Sequence, residues 1–161
     1  MEPFAQCAGQ HTPRELHVTQ GYPNALNEIA TWANANGATI EEARHRHVQY
    51  AALCGIVSIP SLQESLVLKG GNAIDFAWIS NRSTRDLGFS LDESDDHLDA
   101  NVEAIRDHLE RALRVATAQF GITFAVNSVR QQPPGEGRTF ITYEARVGYG
   151  LPDEPQLLIR M

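Results

Sequence analysis

Apolar positions in the first third of the chain recur at helical intervals. In PNALNEIATWANANG (23–37), Leu26, Ile29, Ala30 and Ala33 fall on one face, and Gly37 suits a left-handed C-terminal cap. TIEEARHRHVQYAALCGIV (39–57) opens with Thr39 and Glu42 in capping-box spacing, and its apolar stripe runs through Ala43, Val48, Ala51, Ala52 and Ile56. SIPSLQES (58–65) is expected to be a turn, because Pro60 cannot continue a helix. SLVLKG (65–70) is short, apolar and bounded by breakers, as a buried strand would be. GNAIDFAWIS (71–80) fits a helix of about two turns, and DLGFSL (86–91) a second short strand. From 91 to 120 a long amphipathic helix is expected, with Leu98, Val102, Ile105, Leu109, Leu113 and Ala116 at helical spacing and an acidic first turn that complements the helix dipole. After Gly121 the period changes to two: ITFAVNSVR (122–130), a turn at PPGEG, RTFITYEARVGYG (138–150) and a last strand at QLLIRM (156–161).

Helices first, then strand and helix alternating, then a meander: the order predicts an α/β (α+β) fold, a mixed β-sheet flanked by helices. Residues 1–60 read as a helical N-terminal part and 61–161 as the core, together one compact domain, as a length of 161 residues allows. No internal repeat or low-complexity tract interrupts the chain.

Composition narrows the classes of function. A net charge of −7 argues against a non-specific nucleic-acid binder, which needs clustered Lys and Arg to neutralise phosphates. Two distant cysteines, Cys7 and Cys54, without a CxxC pair make a zinc ribbon or a disulfide framework unexpected. No apolar run approaches the ~20 residues that span a bilayer, and the start lacks a signal-peptide pattern. A soluble, cytoplasmic protein without a membrane partner is expected.

The candidate chemistry lies between residues 66 and 91. Lys69-Gly70-Gly71 stands between a strand and a helix, where glycines let a phosphate approach the backbone and Lys69 or Asn72 can add donors. The bland alternative is a tight turn that needs glycine for its dihedrals. Further on, Asp86 and position 88 would face the same way on a strand. A D-x-D pair there would hold divalent cations, but position 88 is Gly88. Ser83 and Thr84 could contact phosphate from the preceding turn. Other features offer less. His45 and His47, two apart on a helix, point to different faces and suit a solvated surface. DESDDHLD (92–99) lacks the glycine and closing glutamate of a calcium loop and suits a helix start. Trp32 and Trp78 are expected in the core.

Taken together, LKGGNAI and the following R-x-T-x-D-L run (Arg82, Thr84, Asp86) resemble the nucleotidyltransferase domain of the AbiEii/AbiGii abortive-infection toxins, within the DNA polymerase beta-like superfamily. The likeness is close from Leu66 to Phe89 and looser on either side. It implies a nucleotidyltransferase fold and a toxin–antitoxin, phage-defence role. The implied reaction transfers a nucleoside monophosphate from a nucleoside triphosphate to an acceptor such as RNA, with Mg²⁺. It also implies a transcription-factor-like antitoxin as partner. On this reading Lys69, Gly70, Gly71, Asn72, Arg82, Ser83 and Thr84 bind nucleotide or phosphate. Asp86 holds metal, and with Lys69 it carries catalysis. The family's second metal-binding aspartate falls on Gly88, and its third carboxylate would fall at or beyond Met161, as would its C-terminal helical domain. Asp75 and Glu144 match no motif position. The alternative is a shortened, non-catalytic remnant that binds nucleotide weakly or only an antitoxin.

Overall fold

The computed structural model of the chain describes residues 22–71, 73, 86–91, 101–132, 142–152 and 157–160. A 3-10 turn at Leu26–Glu28 leads into α1 (Ile29–Asn36), which Gly37 closes in the left-handed conformation. Ile29 and Ala33 are buried, with Trp32 packed beside them, whereas Leu26 and Ala30 remain exposed. The buried face of α1 is therefore narrower than the apolar pattern suggests. α2 (Ile40–Val57) has the expected capping box: Thr39 Oγ1 accepts from the Glu42 N–H at 3.1 Å, and Glu42 accepts from the Thr39 N–H at 2.7 Å. The bonds from Thr39 hold the Glu42 carboxyl below its ordinary pKa.

The second half of α2 is buried almost all round. Beyond the apolar stripe, Arg46, His47, Gln49, Leu53, Cys54 and Gly55 also lie inside. The expected solvated face for His47 is thus incorrect. The histidine donates from Nδ1 to the Pro23 carbonyl at 2.8 Å, and its ring meets Phe120 edge-on at 6.0 Å. Arg46 bonds the Tyr22 hydroxyl and lies over the Tyr22 ring at 4.9 Å. The two side chains fasten residues 22 and 23 to the helix.

Pro60 opens a helix rather than a turn. α3 (Pro60–Ser65) carries it in the first turn, where the missing N–H costs nothing because that donor has no helical partner. β1 (Leu66–Lys69) and β2 (Gly88–Leu91) pair antiparallel as a two-stranded ribbon, in the register Leu66–Leu91, Val67–Ser90, Leu68–Phe89 and Lys69–Gly88. β1 is not a fully buried strand: Leu66 and Leu68 turn inward, and Val67 is 55% exposed.

α4 (Val102–Phe120) begins later than the acidic pattern suggests. Asn101 caps it through the Ala104 N–H at 2.8 Å, and Glu103 is the acid in the first turn. Leu98 and the DESDDHLD run lie outside the described residues, as do Trp78 and the PPGEG turn. β3 (Thr123–Gln132), β4 (Thr142–Gly150) and β5 (Leu157–Arg160) form an antiparallel meander, with an irregularity between Val126 and Ser128. At that point the Val126 carbonyl accepts from Arg106 of α4 at 3.2 Å.

The main core joins Val48, Ala51, Ala52 and Leu53 of α2 to Leu113 of α4, Val147 and Tyr149 of β4, and Leu87 ahead of β2. A second cluster, Ile56, Leu62 and Ala112, receives Leu66, Phe89 and Leu91 from the ribbon. Each fully buried Leu or Ile of this kind contributes roughly 1.5–3 kcal/mol. Burial thus decides which way the ribbon faces. The fold is α+β, with antiparallel pairing throughout the described strands.

Candidate functional site

Side chains alternate across a strand, so the inward set Leu66, Leu68, Leu87, Phe89 and Leu91 sends the intervening positions outward. Those positions are Val67 and Lys69 on β1, and Asp86, Gly88 and Ser90 on or beside β2. Asp86 and Lys69 are both exposed, while Leu87 between Asp86 and Gly88 is buried. Asp86 and position 88 therefore do share a side, as the D-x-G spacing predicts. Lys69 stands directly across from Gly88. In an antiparallel pair, opposed residues project from the same face of the sheet. A Cβ placed on Gly88 would lie 3.6 Å from Lys69 Cγ and 3.3 Å from the Lys69 carbonyl oxygen. The lysine stem thus lies against the space that a side chain at 88 would enter.

The chain turns at once after Lys69. Gly70 takes a left-handed φ of 79°, and residues 70, 71 and 73 are helical. Nothing lies within 4 Å of a Cβ added at Gly70. Its glycine is accounted for by backbone conformation, which is the plain turn reading. Gly71 is not among the glycines with positive φ. No such conformational demand applies there.

Asn72, Asp75, Arg82, Ser83 and Thr84 lie outside the described residues. Glu144 sits on β4, where Gln132 donates to it at 3.2 Å and Arg146 Nε at 3.0 Å. Those bonds belong to the meander surface rather than to the ribbon. Among the described residues no three His, Cys, Asp or Glu side chains group closely enough to hold a metal ion. One carboxylate, a glycine and a lysine opposite it do not fit a two-cation site, because Mg²⁺ gives up its waters only to several oxygens.

One polar constellation was not foreseen. Ser61 Oγ lies 3.2 Å from His108 Nδ1, and Arg111 Nη2 lies 2.8 Å from the same nitrogen. Arginine only donates, so Nδ1 is the accepting nitrogen and its lone pair is already engaged. His108 is therefore badly placed to take a proton from Ser61. A groove of about 330 Å³ lined by Leu26, Ile29, Ile40, Arg44, Leu151 and Pro152 has no residue from the ribbon. No described helix is long and apolar enough to cross a membrane.

The ribbon face, with its lysine, its glycine turn and its exposed aspartate, is where the sequence motif and the geometry coincide. A family model described as "Nucleotidyl transferase AbiEii toxin, Type IV TA system" matches residues 51–159, more than half of the chain. No curated protein and no solved structure matches it.

Proposed function

The chain belongs to the AbiEii nucleotidyl transferase toxin family of type IV toxin–antitoxin systems, and from that premise we propose that it binds a nucleoside triphosphate on the outer face of the β1–β2 ribbon. The bound nucleotide would give its monophosphate to an acceptor such as RNA. An acceptor oxygen forms the new bond to the α-phosphorus, the α–β bridge breaks, and pyrophosphate and a proton leave. The observation that supports this reading is the common exposed face of Lys69, Asp86 and position 88, at the end of the ribbon where Gly70 turns the chain.

In this reading Lys69 neutralises phosphate charge, and Gly70 and Gly71 admit the phosphates to the backbone. By the family resemblance, Asn72, Arg82, Ser83 and Thr84 are proposed to bind phosphate as well. Members of the family generally use a divalent metal ion with the triphosphate. Asp86 is the candidate ligand here, but the described residues do not complete such a site, so the proposal rests on nucleotide binding. An antitoxin is the expected protein partner, and the cytoplasm the expected setting. The helical part (1–60) and the core (61–161) are proposed to act as one domain, supported by the cluster that joins α2 to α4 and β4.

Gly88 favours a second reading, a non-catalytic remnant that binds nucleotide or only the antitoxin. Incubation with each labelled nucleoside triphosphate, Mg²⁺ and total RNA separates the two. Label in RNA supports transfer. Binding without label supports the remnant, and absence of binding removes the ribbon-face assignment.

The glycines can be tested apart. A Gly70 variant would be strained by its backbone, which confounds any loss of binding. Gly71→Val avoids that strain and should still abolish triphosphate binding by placing methyl groups where phosphate approaches. Calorimetry on the folded variant checks this; undiminished affinity would sink the cradle.

A further inference from the structure

Lys69 is the only lysine among the 161 residues; the other 12 basic side chains, of 13 in all, are arginines. It stands at the ribbon's outer edge, exposed, and no side-chain bond or ion pair engages it among the described residues. Opposite it is a position where a carboxylate would help to gather cations, and that position is glycine. We infer that this ribbon face takes the polyphosphate of its nucleotide directly on the Lys69 ammonium, without a divalent cation, and that Gly88 is what leaves the ammonium available. The inference rests on the placement of triphosphate at this face.

The physical reason lies in the cross-strand register. A side chain at 88 would start 3.6 Å from Lys69 Cγ. An aspartate there would share the face with the lysine, and opposite charges directly across an antiparallel pair attract. It would take up the ammonium before any phosphate did. With glycine, the lysine stem covers bare backbone and its compact, strongly hydrated charge stays free to meet an anion. The chain thus has a fixed cation on the face where a two-metal site would need oxygen ligands. A replacement by aspartate at 88 would therefore not be a simple repair. It would trade an anion site for an internal ion pair, and the Lys69 carbonyl at 3.3 Å would also have to give way slightly.

The test is calorimetric binding of ATP, CTP, GTP, UTP and inorganic tripolyphosphate to the whole chain, once in EDTA and once in Mg²⁺. The best-bound nucleotide should keep its affinity in EDTA to within about threefold, and Lys69→Ala should weaken it at least tenfold, whereas Lys69→Arg should largely preserve it. Gly88→Asp should weaken binding in EDTA by a similar factor. A folded Gly88→Ala variant, which adds bulk without charge, should lose less. Amine acetylation followed by mass spectrometry gives a second readout. Lys69 and the chain's α-amino group are the amines present, and nucleotide in EDTA should protect the lysine alone. Binding seen only with Mg²⁺ overturns the inference while keeping the ribbon-face reading. Nucleotide binding that Lys69→Ala leaves intact overturns both, as does a failure of every nucleotide to bind in either condition.

Discussion

Replacing Gly55 with alanine is expected to lower the thermal midpoint of unfolding by roughly 6–12 °C, as ~3 kcal/mol does in a domain of this size. A Cβ on Gly55 would fall 2.3 Å from the Ala112 carbonyl oxygen of α4 and 3.0 Å from Ala116 Cβ. The obstacle is helix backbone, which cannot rotate aside as the tip of a side chain can. α2 or α4 would have to move as a whole, and both carry buried core residues close by: Ala51, Ala52 and Leu53 on one, Ala112, Leu113 and Ala116 on the other. Overpacking ordinarily costs about 1–3 kcal/mol, and a backbone collision lies at the upper end. Circular-dichroism melts of the two proteins at equal pH decide the matter. An unchanged midpoint would mean that the helices do not cross at Gly55.

Acid is expected to destabilise the fold through His47. Its Nδ1 donates to the Pro23 carbonyl, so Nε2 carries the lone pair, and that atom is buried with no hydrogen-bond partner. Burial lowers the pKa; the Pro23 bond and the Glu28 charge, acting the other way, do not offset it. Arg46 on the same helix and Tyr50, stacked edge-on against Phe120 at 5.8 Å, are the other ionisable groups nearby. Above about pH 6.5, the ordinary histidine value, folded and unfolded chains both hold the neutral ring and nothing is lost. Below it the unfolded chain takes up a proton that the folded one refuses, so stability falls until the lowered folded pKa is reached. Urea midpoints measured across this range should drop more for the native chain than for His47→Gln, whose amide can still reach Pro23. Equal slopes would show that the acid loss comes from other groups.

Much of this architecture was legible in the residues. The Thr39–Glu42 box, the stop at Gly37 and the two β periods after Gly121 each express a local rule, and each appears where the rule puts it. Misreadings arose where tertiary contact overrode the local rule. Pro60 has the pattern of a breaker, but a proline is equally at home in a first turn, and only the packing of Leu62 beside Ile56 and Ala112 shows which applies. His47 and Arg46 look like surface residues on an alternating basic run; they are inside because residues 22 and 23 close over them. At the candidate site the D-x-G facing was readable from strand period alone. The Lys69–Gly88 opposition was not, since cross-strand register is a relation between two segments that neither segment states by itself.

The encasement of α2 sets an order for the opening of the molecule. Its second half is walled by α3, α4 and the end of β4, so local fraying brings little water to its amides. Those amides can exchange their hydrogens for deuterium only when the whole fold opens, while α1, with Ala30 facing solvent, exchanges through smaller excursions. Deuterium uptake followed by peptide mass should therefore rank residues 47–56 slowest and 29–36 distinctly faster. Among the described residues, the ribbon bearing Lys69 rests on the core by one face, and its short strands place it nearer the fast end. The face assigned to the nucleotide would then be among the parts of the molecule that a bound ligand slows the most.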